Sequence, residues 1–461
     1  MKTSSWKLVH GDGSDSTSSG KIIYRGVDDL TTAVLFTPYD VGKHKLAHRL
    51  VLAPMTRIRA TAETLAPNDL TVAYYQQRAT QGGLLITEAV HISPEATPVW
   101  TIYPAVREHG GHVPGIWTAE QTAQWQRVVA AVHAKGGKIS CQLLHTGRVA
   151  QPVIGEHPLV KGSGLPLPPV SSSAVAIQAS DEVGNQYNWD QASATPRALS
   201  IEEIARLVDD YRQAARNAIQ AGFDYIELHA AHGYLIDQFL CDGVNQRTDS
   251  YGGSIENRCR LLFEVVAALV EEVGPGRVGV RLSPIVNDPI TGKPHQIYFG
   301  VTCSDPDALF SYAIRSLNQF WLAYLMLTEP RVGGLSLAPE EETAYTHPLS
   351  NRKYRALYQG TLIGAGGFTP QTAVQAIAEG AYDLIVFGRW FLANPDFVAR
   401  IRQGHPLNVY ERATFYGGDE RGYTDYPDWK TVLKEESRYR LMPQAEIGAS
   451  LSRCPRLPDD K

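Results

Sequence analysis

The sequence predicts an α/β protein built as a closed (β/α)8, or TIM, barrel with long loop insertions at its C-terminal mouth. Three observations predict it. From about residue 48, short apolar runs alternate with amphipathic helical windows. Eight such runs can be counted, and the Gly-x-Gly-x-x-Gly fingerprint of an open doubly wound sheet is absent after the first of them.

The predicted strands are residues 50–54, 84–88, 138–143, 225–228, 278–282, 324–327, 361–364 and 384–387, each a short apolar run of the kind a buried parallel strand needs. Between them, helices are predicted over residues 119–134, 201–220, 255–272 and 372–379. Ser200 followed by Glu203 is a capping box that marks the start of the second. Two stretches, residues 150–197 and 283–305, break the rhythm. Both follow strands, so both are expected as long loops over the C-terminal mouth, with residues 100–112 as a further insertion there. The expected organisation is a flexible extension over residues 1–33, a barrel over 34–429, and a C-terminal extension of unassigned structure over 430–461.

At 461 residues, with 43% hydrophobic and 20% charged residues, the chain suits one large barrel with an ordinary globular composition. A net charge of −5 gives no general reason to expect nucleic acid or an anionic membrane as partner. No apolar run reaches the length of a membrane span, and residues 4–21 are rich in Ser, Gly and Asp rather than carrying the apolar stretch of a secretory signal. Asp12 and Asp15 also argue against a transit peptide. The five cysteines, Cys141, Cys241, Cys259, Cys303 and Cys454, never form Cys-x-x-Cys. Their odd number and scatter point to reduced thiols, and against a disulfide framework, structural zinc or an iron–sulfur cluster. The expectation is a cytoplasmic monomer or homodimer whose partners are small molecules.

The most informative segment is Tyr225-Ile226-Glu227-Leu228-His229-Ala230-Ala231-His232-Gly233-Tyr234-Leu235-Ile236-Asp237-Gln238-Phe239-Leu240. Residues 225–228 supply a buried strand, and Gly233 lets the chain turn into a short amphipathic helix whose Leu235, Phe239 and Leu240 can face a core. His229, His232 and Tyr234 are left at the rim. A zinc site is the competing reading of the two histidines, but no third ligand stands in a recognisable motif nearby. Seven of the eight predicted strands have distinctive residues at or just beyond their C-terminal ends: Thr56, Ala89 with His91, Gln142, the His229–His232–Tyr234 set, Arg281, Gly366 with Gly367, and Arg389. A barrel brings all of these to one face. Gly366 and Gly367 precede a helix, and Gly388-Arg389 follows the last strand. Backbone N–H groups, a helix N-terminus and a guanidinium there suit a phosphate, although that alone does not say whether the phosphate belongs to a cofactor or to a substrate.

The run Cys241-Asp242-Gly243-Val244-Asn245-Gln246-Arg247-Thr248-Asp249-Ser250-Tyr251-Gly252-Gly253-Ser254-Ile255-Glu256-Asn257-Arg258, together with these motifs in order, resembles the Old Yellow Enzyme family of flavin-dependent ene-reductases over roughly residues 36–429. The His-x-x-His-x-Tyr form is similar to plant oxophytodienoate reductases and to bacterial nitroester and N-ethylmaleimide reductases. The resemblance implies FMN as cofactor, NADPH or NADH as reductant, and activated alkenes (enones, enals, maleimides, nitroalkenes) as substrates. It implies FMN contacts from Pro54, Met55, Thr56, Ala89, Gln142, Arg281, Gly366, Gly367, Gly388, Arg389, Phe415 and Tyr416, with Thr56 on O4. Gln142 could both donate and accept at the pyrimidine edge, and Arg281 could stabilise charge near N1. His229 and His232 would polarise the substrate oxygen, and Tyr234 would deliver the proton. Two departures stand out: Leu144 and the Leu335-Ser336 pair replace aromatics of the yeast enzymes. The expected effect is a wider pocket, open to refilling by Trp100 and Tyr103. A phosphate-substrate lyase barrel and a flavin- or small-molecule-binding barrel without turnover are the alternatives.

Overall fold

A computed structural model describes residues 32–97, 111–150, 159, 169–177, 194–287, 294–295, 298–330 and 349–434. Eight strands close into a barrel: β1 (Leu50–Leu52), β2 (Leu84–His91), β3 (Lys138–Leu144), β4 (Tyr225–His229), β5 (Val278–Leu282), β6 (Tyr324–Thr328), β7 (Leu362–Ala365) and β8 (Leu384–Phe387). Every neighbouring pair is parallel, and β8 pairs with β1 to complete the ring. Six helices return the chain between strands: α1 (Asp69–Arg78), α2 (Ala119–His133), α3 (Ile201–Gln220), α4 (Arg260–Val273), α5 (Pro306–Leu317) and α6 (Pro370–Ala378). None of the described helices is long and apolar enough to cross a membrane.

The α3 helix shows why these residues fold this way. Ser200 accepts from the Glu203 N–H in the expected capping box, and Ile204, Leu207, Tyr211, Ala214, Ala215 and Ala218 form one buried stripe at helical spacing. Burying each of its larger aliphatic side chains contributes about 1.5–3 kcal/mol. Inside the barrel, Val51, Leu84, Ile86, Tyr225, Tyr324, Met326, Ile363, Leu384 and Val386 form a second core. A hairpin of Tyr39–Val41 and His44–Leu46 plugs the lower end with Val41 and Leu46, and the Tyr225 hydroxyl donates to the Val41 carbonyl at 2.8 Å.

The strands differ from their predicted bounds mainly at the mouth. β2, β3, β4 and β6 run one to three residues further, so Ala89, His91 and His229 lie inside strands rather than beyond them. The predicted helix over 255–272 is split at Cys259 into Ile255–Arg258 and α4. The lower hairpin, α1 and α5 were not anticipated. The α1 start was legible as Asn68 with Thr71, which form a reciprocal capping box. The segment over 283–305 carries a small hairpin, Val286–Asn287 with Pro294–His295, and then Tyr298 and Phe299.

Asp224, just before β4, knots the lower rim. Its carboxylate accepts from the Ile139 N–H at 2.9 Å, His133 Nε2 at 2.8 Å and Lys138 Nζ at 3.0 Å. Burial works to raise its pKa, but these hydrogen bonds outweigh it and hold the carboxyl below its ordinary value. Asp224→Asn should therefore cost about 1–3 kcal/mol at neutral pH, read as a lowered urea midpoint. Because the folded pKa is depressed, the parent's advantage is full above the unfolded carboxyl pKa of roughly 4 and is lost as pH falls through the lower folded value. A gap between parent and variant that does not close in acid would refute the ionic account.

Candidate active site

The residues expected to suit a phosphate come together where β7 and β8 end. Gly366 and Gly367 have φ of 94° and 63°, a left-handed pair that side-chain-bearing residues avoid. A Cβ on Gly366 would lie 2.5 Å from the Glu329 carbonyl oxygen. The α6 helix follows at once, capped by Thr369 with Pro370 in its first turn. Beside it, Gly388 leads into the short helix Arg389–Ala393, and the Arg389 guanidinium lies over the Tyr410 ring at 5.4 Å. A Cβ on Gly388 would meet Met55 Sδ at 3.2 Å, so the loop after β1 shares this corner.

That loop is held by groups the sequence reading missed. Glu88, buried in β2, accepts from the N–H groups of Arg57 at 3.0 Å and Ile58 at 3.4 Å, and Ile58 adopts a φ of 57°. Burial raises the Glu88 pKa to about 7, against the pull of the Arg57 hydrogen bond and charge. Arg57 in turn donates to the carbonyls of Phe415 at 2.9 Å and Gly422 at 2.7 Å, and its own carbonyl accepts from Gly417 N–H at 2.9 Å. Pro54, Met55 and Thr56 are thereby left half-buried above the barrel, with Phe415 and Tyr416 tied to the same loop.

The third group lies across β2 to β5. An irregularity between Ile86 and Ala89 shifts the β2 register by one residue and sets Ala89 opposite Gln142, which is itself opposite Glu227. Gln142 Nε2 donates to Glu227 Oε1 at 2.6 Å, which leaves the amide an oxygen and one N–H for a ligand. His229 stands opposite Arg281. Arg281 Nε donates to Thr328 Oγ1 at 3.3 Å, and its Nη groups have no protein hydrogen bond among the described residues. A lone Glu in an otherwise apolar strand, Tyr-Ile-Glu-Leu-His, was the available signal for Glu227.

The turn after β4 presents the remaining residues. His232 and Gly233 have φ of 56° and 74°. Gly233 is clamped at both ends: Asp237 Oδ2 accepts from its N–H at 2.8 Å, and Gln238 Nε2 donates to its carbonyl at 2.8 Å. His229 Nε2 and His232 Nδ1 come within 3.3 Å, and the Tyr234 ring is 5.1 Å from that of His229. Burial, then the Arg281 charge, pushes both imidazoles well below their ordinary pKa, so both are neutral. Burial and the neighbouring Tyr416 and Tyr298 push the Tyr234 phenol up, so it keeps its proton.

Tyr298 was not foreseen. Its ring packs edge-on against His232 at 4.8 Å, and Phe299 sits 5.6 Å from Tyr234. Leu144 is buried at the end of β3, while Leu335-Ser336, Trp100 and Tyr103 lie outside the described residues. His91 is also fully buried beside His145, burial pushes both imidazoles down to about 3 so that neither is charged at neutral pH, and no hydrogen bond or ring contact joins His91 to His229, His232 or Arg281 among the described residues. No group of three or more potential metal ligands occurs among the described residues.

A left-handed glycine turn and a guanidinium at one corner, an amide on β3, and neutral imidazoles with a protonated phenol at the end of β4 suit a barrel oxidoreductase of the flavin-nucleotide type. Residues 34–408 match the model of the NADH:flavin oxidoreductase / NADH oxidase family, and the chain belongs to that family, the Old Yellow Enzymes: an FMN-dependent NAD(P)H oxidoreductase of the ene-reductase type. It is 43% identical over 400 residues to 12-oxophytodienoate reductase 2 of Arabidopsis thaliana, covering 86% of this chain and 96% of that protein. It is 44% identical over 395 residues to putative 12-oxophytodienoate reductase 4 of Oryza sativa subsp. japonica, covering 85% and 92%. Among solved structures, morphinone reductase superposes with a TM-score of 0.71 at 40% identity, covering 86% of this chain and 96% of that one. Morphinone reductase in complex with tetrahydroNAD gives 0.70 at 40% identity, covering 86% and 97%.

The residues present fit FMN. Its phosphate matches the left-handed Gly366–Gly367 turn at the start of α6 beside Arg389, and its acceptor-rich ring edge matches the Arg281 Nη groups and the Gln142 amide.

Proposed function

We propose that the chain is an NADPH-dependent ene-reductase acting on the C=C bond of enones, enals, maleimides and nitroalkenes. The observation that carries this reading is the convergence of His229 Nε2 and His232 Nδ1 at 3.3 Å beside Tyr234. When bound, FMN supplies the two-electron chemistry, taking hydride from the nicotinamide and giving it to the β-carbon of the alkene. The chain's own residues do the rest. Gly366, Gly367, Gly388 and Arg389 hold the phosphate; Pro54, Met55, Thr56, Ala89, Gln142 and Arg281 hold the ring; Phe415 and Tyr416 border it. His229 and His232 hold the substrate's carbonyl or nitro oxygen and stabilise the charge that develops there. Tyr234 holds the proton destined for the α-carbon. NADPH over NADH rests on the family resemblance. The working unit is residues 34–429, with extensions at 1–33 and 430–461, and the compartment is the cytoplasm.

The absorbance spectrum of the purified protein, followed by anaerobic NADPH addition, tests this reading. A flavin band that bleaches with NADPH and recovers with an enone is expected. No flavin band would sink it, and a band that never bleaches would mean a binding protein without turnover.

A phenolate places its oxygen where the substrate's would go. His229→Ala, with His232 intact, should weaken phenol binding roughly tenfold, since an anion loses one of two donors. Because both imidazoles are already neutral, the parent's affinity should follow the phenol's own ionisation with no second step near pH 6.5. Titration of the phenolate–flavin absorbance band measures both. Unchanged affinity in the variant would place the pair away from the flavin.

A further inference from the structure

Of the eight strands, β6 is the one for which the sequence offered no residue at the mouth. Its last residue, Thr328, is 7% exposed and stands between Arg281 and His232. Arg281 Nε lies 3.3 Å from Thr328 Oγ1, and His232 Nε2 lies 3.2 Å from it. A guanidinium can only donate, so the Thr328 oxygen accepts there. Its one hydroxyl proton remains, and the only other polar atom bonded to Oγ1 among the described residues is His232 Nε2. A buried hydroxyl without an acceptor is costly, which directs the proton to Nε2.

We propose that Thr328 is a positioning residue that keeps His232 as its Nδ1–H tautomer, so that both histidines aim an N–H at one oxygen. His229 Nδ1 accepts from the Ala231 N–H at 3.4 Å, which puts the His229 proton on Nε2. With His232 protonated on Nδ1, the two atoms 3.3 Å apart are both donors, and the pair is complete only with an acceptor oxygen between them. The opposite tautomer closes the pair on itself. His232 Nε2–H would donate to Thr328, His232 Nδ1 would accept from His229, the Thr328 proton would lose its acceptor, and no imidazole N–H would remain for a ligand. A single hydroxyl on β6 thus decides whether the pair is a two-donor site or a self-satisfied one, and it ties that choice to the arginine proposed to face the flavin. The inference rests on the reading of the histidine pair as the oxygen site.

The test uses the full chain with histidine 15N-labelled, with ring tautomers read by long-range 1H–15N correlation at neutral pH. His232 is expected protonated on Nδ1 in the parent and in Thr328→Ser, and on Nε2 in Thr328→Val. Phenol affinity, titrated in parallel with para-hydroxybenzaldehyde, should fall roughly tenfold or more in Thr328→Val and recover in Thr328→Ser. An Nε2–H His232 in the parent overturns the proposal, as does a tautomer unmoved by Thr328→Val. A tautomer that moves as expected while phenol affinity stays unchanged sustains the Thr328 relay but removes the pair from the oxygen site, so the two failures are distinguishable.

Discussion

Tyr234→Phe should leave FMN content and flavin reduction by NADPH close to the parent while slowing reoxidation by an enone roughly 10²–10⁴-fold, the usual cost of losing a positioned proton donor. The substitution removes one hydroxyl and keeps the ring, so packing against His229 at 5.1 Å and Phe299 at 5.6 Å is preserved. Burial and two neighbouring phenols raise the Tyr234 pKa, so the group remains a proton donor throughout the neutral and mildly alkaline range. The parent's alkene step should accordingly show no loss over that range assignable to this residue. Nitroalkenes and quinones, whose reduced anions are stable enough to leave or to take a proton from water, should suffer less than enones. Stopped-flow measurement of the two half-reactions decides the matter. Equal slowing of both would point to a disturbed site, and no slowing with any enone would mean that solvent or another group supplies the proton.

The second large effect is on cofactor retention. Arg389→Ala removes a charge-assisted pair contributing about 1.5–3 kcal/mol, so FMN affinity should fall roughly tenfold or more. Arg389→Lys should recover only part of this, because an ammonium offers a point charge in place of two parallel N–H donors and loses the stacking on Tyr410. Equilibrium dialysis against free FMN measures each variant. Since the helix opened by Arg389 buries Trp390, Phe391, Leu392 and Ala393 but leaves the arginine half-exposed, the fold should survive the change. Unaltered FMN affinity in Arg389→Ala would remove the phosphate from this corner.

The barrel was legible because strands buried on both faces are mostly apolar, and each of the eight lies within a few residues of its expected place. The missed α5 follows a stretch read as loop, and its start signal, Asp305 before Pro306, is short. At the mouth, residues with a distinctive type and an isolated context were visible: His229, His232, Tyr234, Arg281 and the glycine pair. The supporting residues were not, because their roles depend on register across strands. Glu88 matters through the loop after β1, and Glu227 through its place opposite Gln142. Thr328 acquires significance only when β5 and β6 bring it beside Arg281. Asp237 and Gln238 look like ordinary helix polarity until the Gly233 turn folds back on them. Tyr298 was invisible because nothing in an aperiodic loop says which strand end it will cover.

That Tyr298 reaches His232 from the loop after β5 rather than from a strand separates two kinds of heritable change in this enzyme. Of the groups proposed to hold the flavin ring, Ala89, Gln142 and Arg281 are locked to the barrel's ladder, where one inserted residue would re-aim every side chain beyond it. The ring covering the substrate oxygen's side hangs from a connection whose length no ladder dictates. New substrates can therefore be explored by editing that connection while the redox machinery is inherited intact, which makes the span from 283 to 305 the natural target for a library that diversifies selectivity without forfeiting flavin.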